Sequence, residues 1–274
     1  MQPLLFLYLI AGLFAWSGPA EPPVNNRLAA LTSPILFRGD EHTAYRDPSF
    51  LYHQYSLYVF FTLVRIEEEH KIYSYVAMTR TKDLQQWTPL RILTPRDQRL
   101  DYSSPGNVVR QGDEWVLCLQ TYPRPDYTTD QMPRYATQDA RIFTMRSRDL
   151  IHWSSPELLR VKGPSVTEKD MGRMIDPYLL ADKDEPGKWW CFYKQNGVSM
   201  SSSSDLRNWT FVGHTESGEN ACVLVEDNQY ILMHSPKNGI CLKRSTDLKN
   251  WQDWGGLITL GQSDWSWAKG RLTA

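Results

Sequence analysis

One seven-residue motif recurs four times and limits the possible folds more than any other feature of the chain. It reads Ser or Thr, any residue, Asp-Leu, two residues, then Trp. The copies run from Thr81-Lys82-Asp83-Leu84 to Trp87, from Ser147-Arg148-Asp149-Leu150 to Trp153, from Ser203-Ser204-Asp205-Leu206 to Trp209 and from Ser245-Thr246-Asp247-Leu248 to Trp251. A motif repeated along a chain marks a repeat architecture, each copy closing one supersecondary unit. Each copy is expected to be a turn in which the Asp caps nearby backbone amides and the Leu and Trp pack beneath.

The segments upstream of each copy have a common order. Lys71–Arg80, Ala140–Arg146, Val198–Ser202 and Gly239–Arg244 lead directly into the motif. Before them lie more apolar runs, Tyr55–Arg65, Glu114–Tyr122, Lys188–Gln195 and Gln229–His234, of the kind that forms strands buried on both faces. A third set, Asp47–Tyr52, Asn107–Arg110, Asp176–Ala181 and Ala221–Val225, comes first in each unit. Each unit therefore reads as three strands, the motif and an outer strand, with no helix of any length. Successive motif tryptophans are 66, 56 and 42 residues apart, approaching the roughly 40 to 50 residues of a propeller blade. The expected fold is all-β, a five-bladed β-propeller with about four blades present and the fifth truncated. Leu257–Leu260 is read as the outer strand of the fourth blade and Ser266–Ala274 as the inner strand of another, with Pro34–Arg38 the alternative closing segment.

Composition narrows the partners. Thirty basic and 31 acidic residues give a net charge of -1, so no basic field draws in nucleic acid. Eleven Trp and 14 Tyr exceed what a core of this size needs, and such rings suit the faces of sugars. The apolar run from Leu4 to Trp16 is too short to span a bilayer and is followed by small residues, Ala15-Trp16-Ser17 and Gly18-Pro19-Ala20. It reads as a signal peptide over residues 1–20, although no Lys or Arg precedes it. Residues 21–33 then form an N-terminal extension and 34–274 the propeller domain, in a secreted or periplasmic protein with no stable membrane insertion. Cys118, Cys191, Cys222 and Cys241, spaced by 73, 31 and 19 residues, match no zinc pattern and read as buried free thiols.

Inner strands of a propeller line its central channel, so the residues at their starts converge on one funnel. The first blade starts Tyr45-Arg46-Asp47-Pro48 and the third Met174-Ile175-Asp176-Pro177; the fourth carries Gly218-Glu219-Asn220-Ala221, and the second departs with Ser104-Pro105-Gly106-Asn107. Asp-Pro alone is a common strand-entry pair. A carboxylate at the start of three blades points to chemistry, with Glu219 expected at the place equivalent to Asp47 and Asp176.

With these Asp-Pro and Gly-Glu starts and the four Asp-Leu-x-x-Trp turns, the chain from Pro34 to Ala274 resembles glycoside hydrolase family 43 and its relatives in families 32, 117 and 130. These are five-bladed propellers acting on arabinan, xylan and similar plant polysaccharides. The resemblance implies Asp47 as general base, Asp176 as the residue that orients the acid and tunes its pKa, and Glu219 as general acid. Inversion needs one ionised and one protonated carboxyl about 6.5 to 9.5 Å apart, and Asp176 is expected to raise the pKa of Glu219 by like-charge repulsion. The substrate is then an oligosaccharide or polysaccharide cleaved by an arabinofuranosidase, xylosidase or similar enzyme. No cofactor is required, with room for a structural calcium ion in the channel. Where the family has Glu-Gly-Pro, this chain has Glu219-Asn220-Ala221-Cys222, nearer the Glu-Cys of fructan-cleaving relatives. A fructan hydrolase, a glycoside phosphorylase and a noncatalytic glycan-binding propeller are the alternatives.

Arg46, Asn107, Tyr122 and His234 are the candidate substrate-binding residues, each with a plain structural alternative: a local ion pair, a turn, a solvated loop and a buried histidine. Glu67-Glu68-Glu69 reads as a solvated hairpin tip, and the serine-rich Ser199–Ser204 as part of a strand and turn rather than a linker.

Overall fold

The structure, a computed structural model, describes residues 37–131, 137–259 and 273–274. The expected signal peptide and extension, most of the Pro34–Arg38 segment, and Ser266–Ala274 up to residue 272 lie outside the described residues.

Four antiparallel sheets follow one another along the chain, one per motif. Blade I comprises β1 (Thr43–His53), β2 (Ser56–Ile66), β3 (Ile72–Thr81) and β4 (Arg91–Ile92), hydrogen-bonded in that order. In blade II the inner strand is broken into β5 (Tyr102–Ser103) and β6 (Val108–Gln111), both pairing with β7 (Glu114–Thr121), which continues to β8 (Ile142–Ser147) and β9 (Glu157–Leu158). Blade III is β10 (Ile175–Ala181), β11 (Trp189–Lys194), β12 (Val198–Ser203) and β13 (Thr210–Thr215). Blade IV is β14 (Glu219–Glu226), β15 (Gln229–Ser235), β16 (Ile240–Ser245) and β17 (Gln252–Ile258). Among the described residues, helix is limited to a 3₁₀ turn at Glu68–His70 and one four-residue helix, Glu168–Met171; none is long and apolar enough to cross a membrane. The four-bladed, all-β propeller arrangement is thus as read from the sequence. The outer strand of blade IV differs, starting at Gln252 rather than Leu257: the turn hands the chain straight to β17, and the register shifts where Gly255 and Gly256 fall.

The repeated turn explains why each third strand stops where it does. In the second copy Asp149 Oδ1 accepts the amides of Ile151 and His152, both at 2.8 Å, while Ser147 Oγ accepts the amide of Leu150 at 2.9 Å. These amide bonds hold the Asp149 carboxyl well below the usual carboxylate range. The motif leucine is left-handed in every copy, with φ of 61° at Leu84, 62° at Leu150, 54° at Leu206 and 62° at Leu248. A leucine in that region is disfavoured by about 1–2 kcal/mol; the Asp caps recur in all four copies, and burial of the side chain adds to them at Leu150, Leu206 and Leu248.

That burial is between blades. Leu150 packs with Tyr58, Phe60 and Met78 of blade I, Leu206 and Trp209 pack with Val116 and Ile142 of blade II, and Leu248 packs with Phe192 and Met200 of blade III. Leu150, Leu206 and Leu248 therefore each belong to a buried cluster shared with the preceding blade. Leu84, in the first blade, has no described blade before it and is 57% exposed. Correspondingly, extensive contacts join blades I to II, II to III and III to IV, and among the described elements none of that extent joins IV to I. On the outer side of blade I, Phe37 stacks against Tyr45, Phe61 and Trp87. All four cysteines are free, Cys118 and Cys191 buried and the other two partly so. The acidic run is more engaged than a solvated tip: Glu67 pairs with Arg96 at 2.6 Å and accepts the Tyr75 hydroxyl at 2.7 Å.

Candidate active site

Every inner strand is interrupted at the same point by a left-handed residue. Asp47 (φ 50°), Ser104 (φ 41°), Asp176 (φ 53°) and Asn220 (φ 55°) each coincide with a break in the ladder to the second strand. A bulge of this kind re-aims a side chain that strict alternation would place elsewhere. In three of the four blades a proline follows, Pro48, Pro105 and Pro177, at a position where the ladder requires no donor. The residue before the bulge pairs with the second strand in equivalent register: Arg46 with Thr62, Ser103 with Gln120, Ile175 with Lys194 and Glu219 with Ser235.

This register corrects the expected equivalence of the three carboxylates. Asp47 and Asp176 occupy matching positions, shared by Ser104 and Asn220, whereas Glu219 stands one residue earlier, matching Arg46. Blade II does not depart from the series; Ser104-Pro105 is its version of Asp-Pro. In blade IV the bulge at Asn220 is followed by Ala221, so no proline marks it in the sequence.

The three carboxylates nevertheless converge. Asp47, Asp176 and Glu219 line one polar cavity of about 680 Å³ around the channel mouth, with Arg46, Thr62, Ser104, Gln120, Tyr122 and Arg173 among its other walls. A second space of about 500 Å³ continues along the channel and shares Asp47, Ser104, Asp176 and Asn220 with the first. The ring of bulge residues thus divides mouth from channel.

Asp47 is held at the junction of blades I and II. Its Oδ2 accepts the hydroxyls of Thr62 at 2.9 Å and Ser104 at 3.0 Å, and the Ser104 amide donates to Thr62 Oγ1 at 2.7 Å. Both hydroxyls fall on one oxygen; the other, Oδ1, lies 4.0 Å from Arg46 Nη2. Asp176 is fixed from two neighbours: its amide donates to Gln120 Oε1 at 2.7 Å, and its Oδ2 accepts the Asn220 amide at 3.0 Å. Burial, then the charges of Glu219 and Asp47, push the Asp176 carboxyl up to about 6 against the lowering effects of the Asn220 amide and Arg173. Burial is the first cause of the upward displacement at Asp176.

The candidate binding residues divide. Arg46 and Tyr122 line the cavity. Asn107 faces the channel below it and uses both ends of its amide on Leu179, donating to the carbonyl and accepting from the amide, each at 2.8 Å. It stitches blade II to blade III, where Gly106 passes so close to the Pro177 carbonyl that no side chain fits. His234 lies in an adjoining cleft beside β16 and β17 that shares Glu219 with the cavity; it is buried, with Nδ1 accepting the Gly218 amide at 2.9 Å. Thr62, Ser104, Gln120 and Arg173 were not expected. Thr62 and Gln120 are polar residues embedded in apolar second strands and almost fully buried, a signal that could have found them. Among the described residues no three His, Cys, Asp or Glu side chains are grouped as metal ligands.

No family model and no curated protein matches the chain. Solved structures do. A family 117 glycoside hydrolase from the marine bacterium Zobellia galactanivorans is 13% identical over 81% of this chain and 71% of its own, with a TM-score of 0.58. For a protein of Bacteroides thetaiotaomicron the values are 15%, 81%, 75% and 0.59. An exo-β-1,3-galactanase from Clostridium thermocellum is 16% identical over 78% of this chain and 49% of its own, with a TM-score of 0.56. At these identities the likeness is one of fold, and the fold is that of propeller glycoside hydrolases.

Proposed function

We propose that the chain is a glycoside hydrolase that cleaves O-glycosidic bonds with inversion, using Asp47 as general base and Glu219 as general acid. The observation that carries this reading is the convergence of Asp47, Asp176 and Glu219, from three blades, on one polar cavity. The water's proton passes to Asp47 as its oxygen forms a bond to the anomeric carbon. The bond from that carbon to the departing oxygen breaks, and the Glu219 proton is transferred to that oxygen. Thr62 and Ser104 hold Asp47 in place through its Oδ2. Asp176 modulates, its proton affinity tied electrostatically to both partners. The substrate class is an arabinofuranoside, xyloside or similar plant-type glycan, and export through the Leu4–Trp16 segment is part of the same proposal.

Asn220 at the bulge position of blade IV favours a second reading, a propeller that binds a glycan without cleaving it. Incubation with chromogenic arabinofuranosides, xylosides, galactosides and fructans separates the two. The hydrolase releases free sugar from at least one without added phosphate; binding to a glycan with no product after long incubation decides for the second reading.

A further inference from the structure

Among the described residues three guanidinium groups, those of Arg46, Arg124 and Arg173, reach the wall of the central cavity, and they are not equivalent. Arg124 is neutralised within the fold. Its Nε and Nη2 both donate to Asp101 Oδ2, at 2.7 and 2.6 Å, and the two side chains are 10% and 2% exposed. Arg46 lies 4.0 Å from Asp47, outside hydrogen-bond range. Arg173 makes no ion pair with any described residue; its one polar contact is Nη2 to the Tyr122 hydroxyl at 3.5 Å, and its buried Nε has no partner among the described residues.

The backbone at Arg173 does not depend on this side chain. The Glu168–Met171 helix is capped by Thr167, ends at Gly172 with φ 70°, and is tied to blade III by Gln195. Gln195 Nε2 donates to the carbonyls of Met171 at 3.0 Å and Arg173 at 2.8 Å. The guanidinium is thus presented over the Tyr122 ring, 5.8 Å from its centroid, with no ion pair to a described residue, although its charge acts on Asp176. A planar guanidinium with uncommitted donors matches the paired oxygens of a carboxylate or sulfate. In a cavity that already holds three carboxylates, an anionic ligand is repelled unless a cation stands where its charge falls. Arg173 from blade III and Arg46 from blade I bring two such cations to one cavity from non-adjacent blades.

We infer that the glycan received here bears an anionic substituent, a uronic acid carboxylate or a sulfate ester, and that Arg173 is the residue that selects it. This rests on the glycan reading of the same cavity and deepens it.

Calorimetric titration of the full chain with three oligosaccharides of equal length tests the inference: one uronate-containing, one sulfated and one neutral. At least one acidic ligand is expected to bind 10-fold or more tighter than the neutral one, and which one does so identifies the anion. Arg173→Gln is expected to abolish that preference and Arg173→Lys to retain part of it, since the charge persists without the fork; rising salt should weaken it in the wild type. Equal affinity for acidic and neutral ligands, no binding of either, or a preference that survives in Arg173→Gln overturns the inference. If the variant does not fold, the salt dependence and the wild-type preference decide alone. Turnover of neutral glycans without acidic preference refutes this selection and spares the hydrolase. Acidic preference with no turnover of any glycan refutes the hydrolase and spares the selection.

Discussion

Asp47→Asn is expected to lower kcat/KM by about a thousandfold, within the 10²- to 10⁴-fold that a positioned general base contributes. The substitution preserves shape and the contacts from Thr62 and Ser104 to Oδ2, so the loss is one of proton acceptance. Glu219→Gln should cost as much with a poor leaving group and far less with a nitrophenol, which departs without protonation. A loss independent of the leaving group contradicts the acid role. Asp176→Asn behaves differently. The folded protein holds this carboxyl at about 6, above the roughly 3.9 of an unfolded chain. Its ionisation therefore lowers stability progressively as pH rises from about 4 to 6. Two units correspond to about 3 kcal/mol, an upper bound because Asp176 is partly solvent-accessible. Denaturant titrations should show Asp176→Asn to be more stable than the wild type at pH 7, by about 1–2 kcal/mol, and no more stable at pH 4, while its activity falls. Equal stability at both values contradicts the assigned shift.

The second large effect concerns the blades. Leu206→Ala removes a fully buried side chain from the seam between blades II and III and should cost about 2–5 kcal/mol. Leu84→Ala makes the same chemical change in the same turn with the same left-handed backbone, but at an exposed site, and should cost less than about 0.5 kcal/mol. Urea melts of the two variants give the comparison. Similar losses show that the turn itself, rather than the seam, holds the leucine.

The strands were legible because the motif fixed where each third strand ends. Working back from Asp149 or Asp205, the apolar run before it could only be the third and second strands, and the observed limits agree to within about two residues for most strands. The seams were not legible: that Leu150 faces blade I, and Leu84 nothing described, depends on which sheet stacks on which. The site was half legible. Asp47-Pro48 and Asp176-Pro177 announce a bulge because proline abandons a ladder donor, and the same mark on Ser104-Pro105 was obscured by the change from acid to hydroxyl. Blade IV carries no such mark, so the one-residue offset of Glu219 from Asn220 appears only in the register with Ser235. Arg173 could not be read from sequence, since what distinguishes it is that no described residue forms an ion pair with it.

The most direct test of the central claim is the configuration of the first product. With a substrate on which the panel shows turnover, proton NMR recorded within the first minutes is expected to show a sugar of inverted anomeric configuration accumulating before mutarotation mixes the forms. The same signal should be absent with Asp47→Asn. A first product of retained configuration, or sugar released at the wild-type rate by Asp47→Asn, contradicts a mechanism in which Asp47 activates water and Glu219 protonates the departing oxygen.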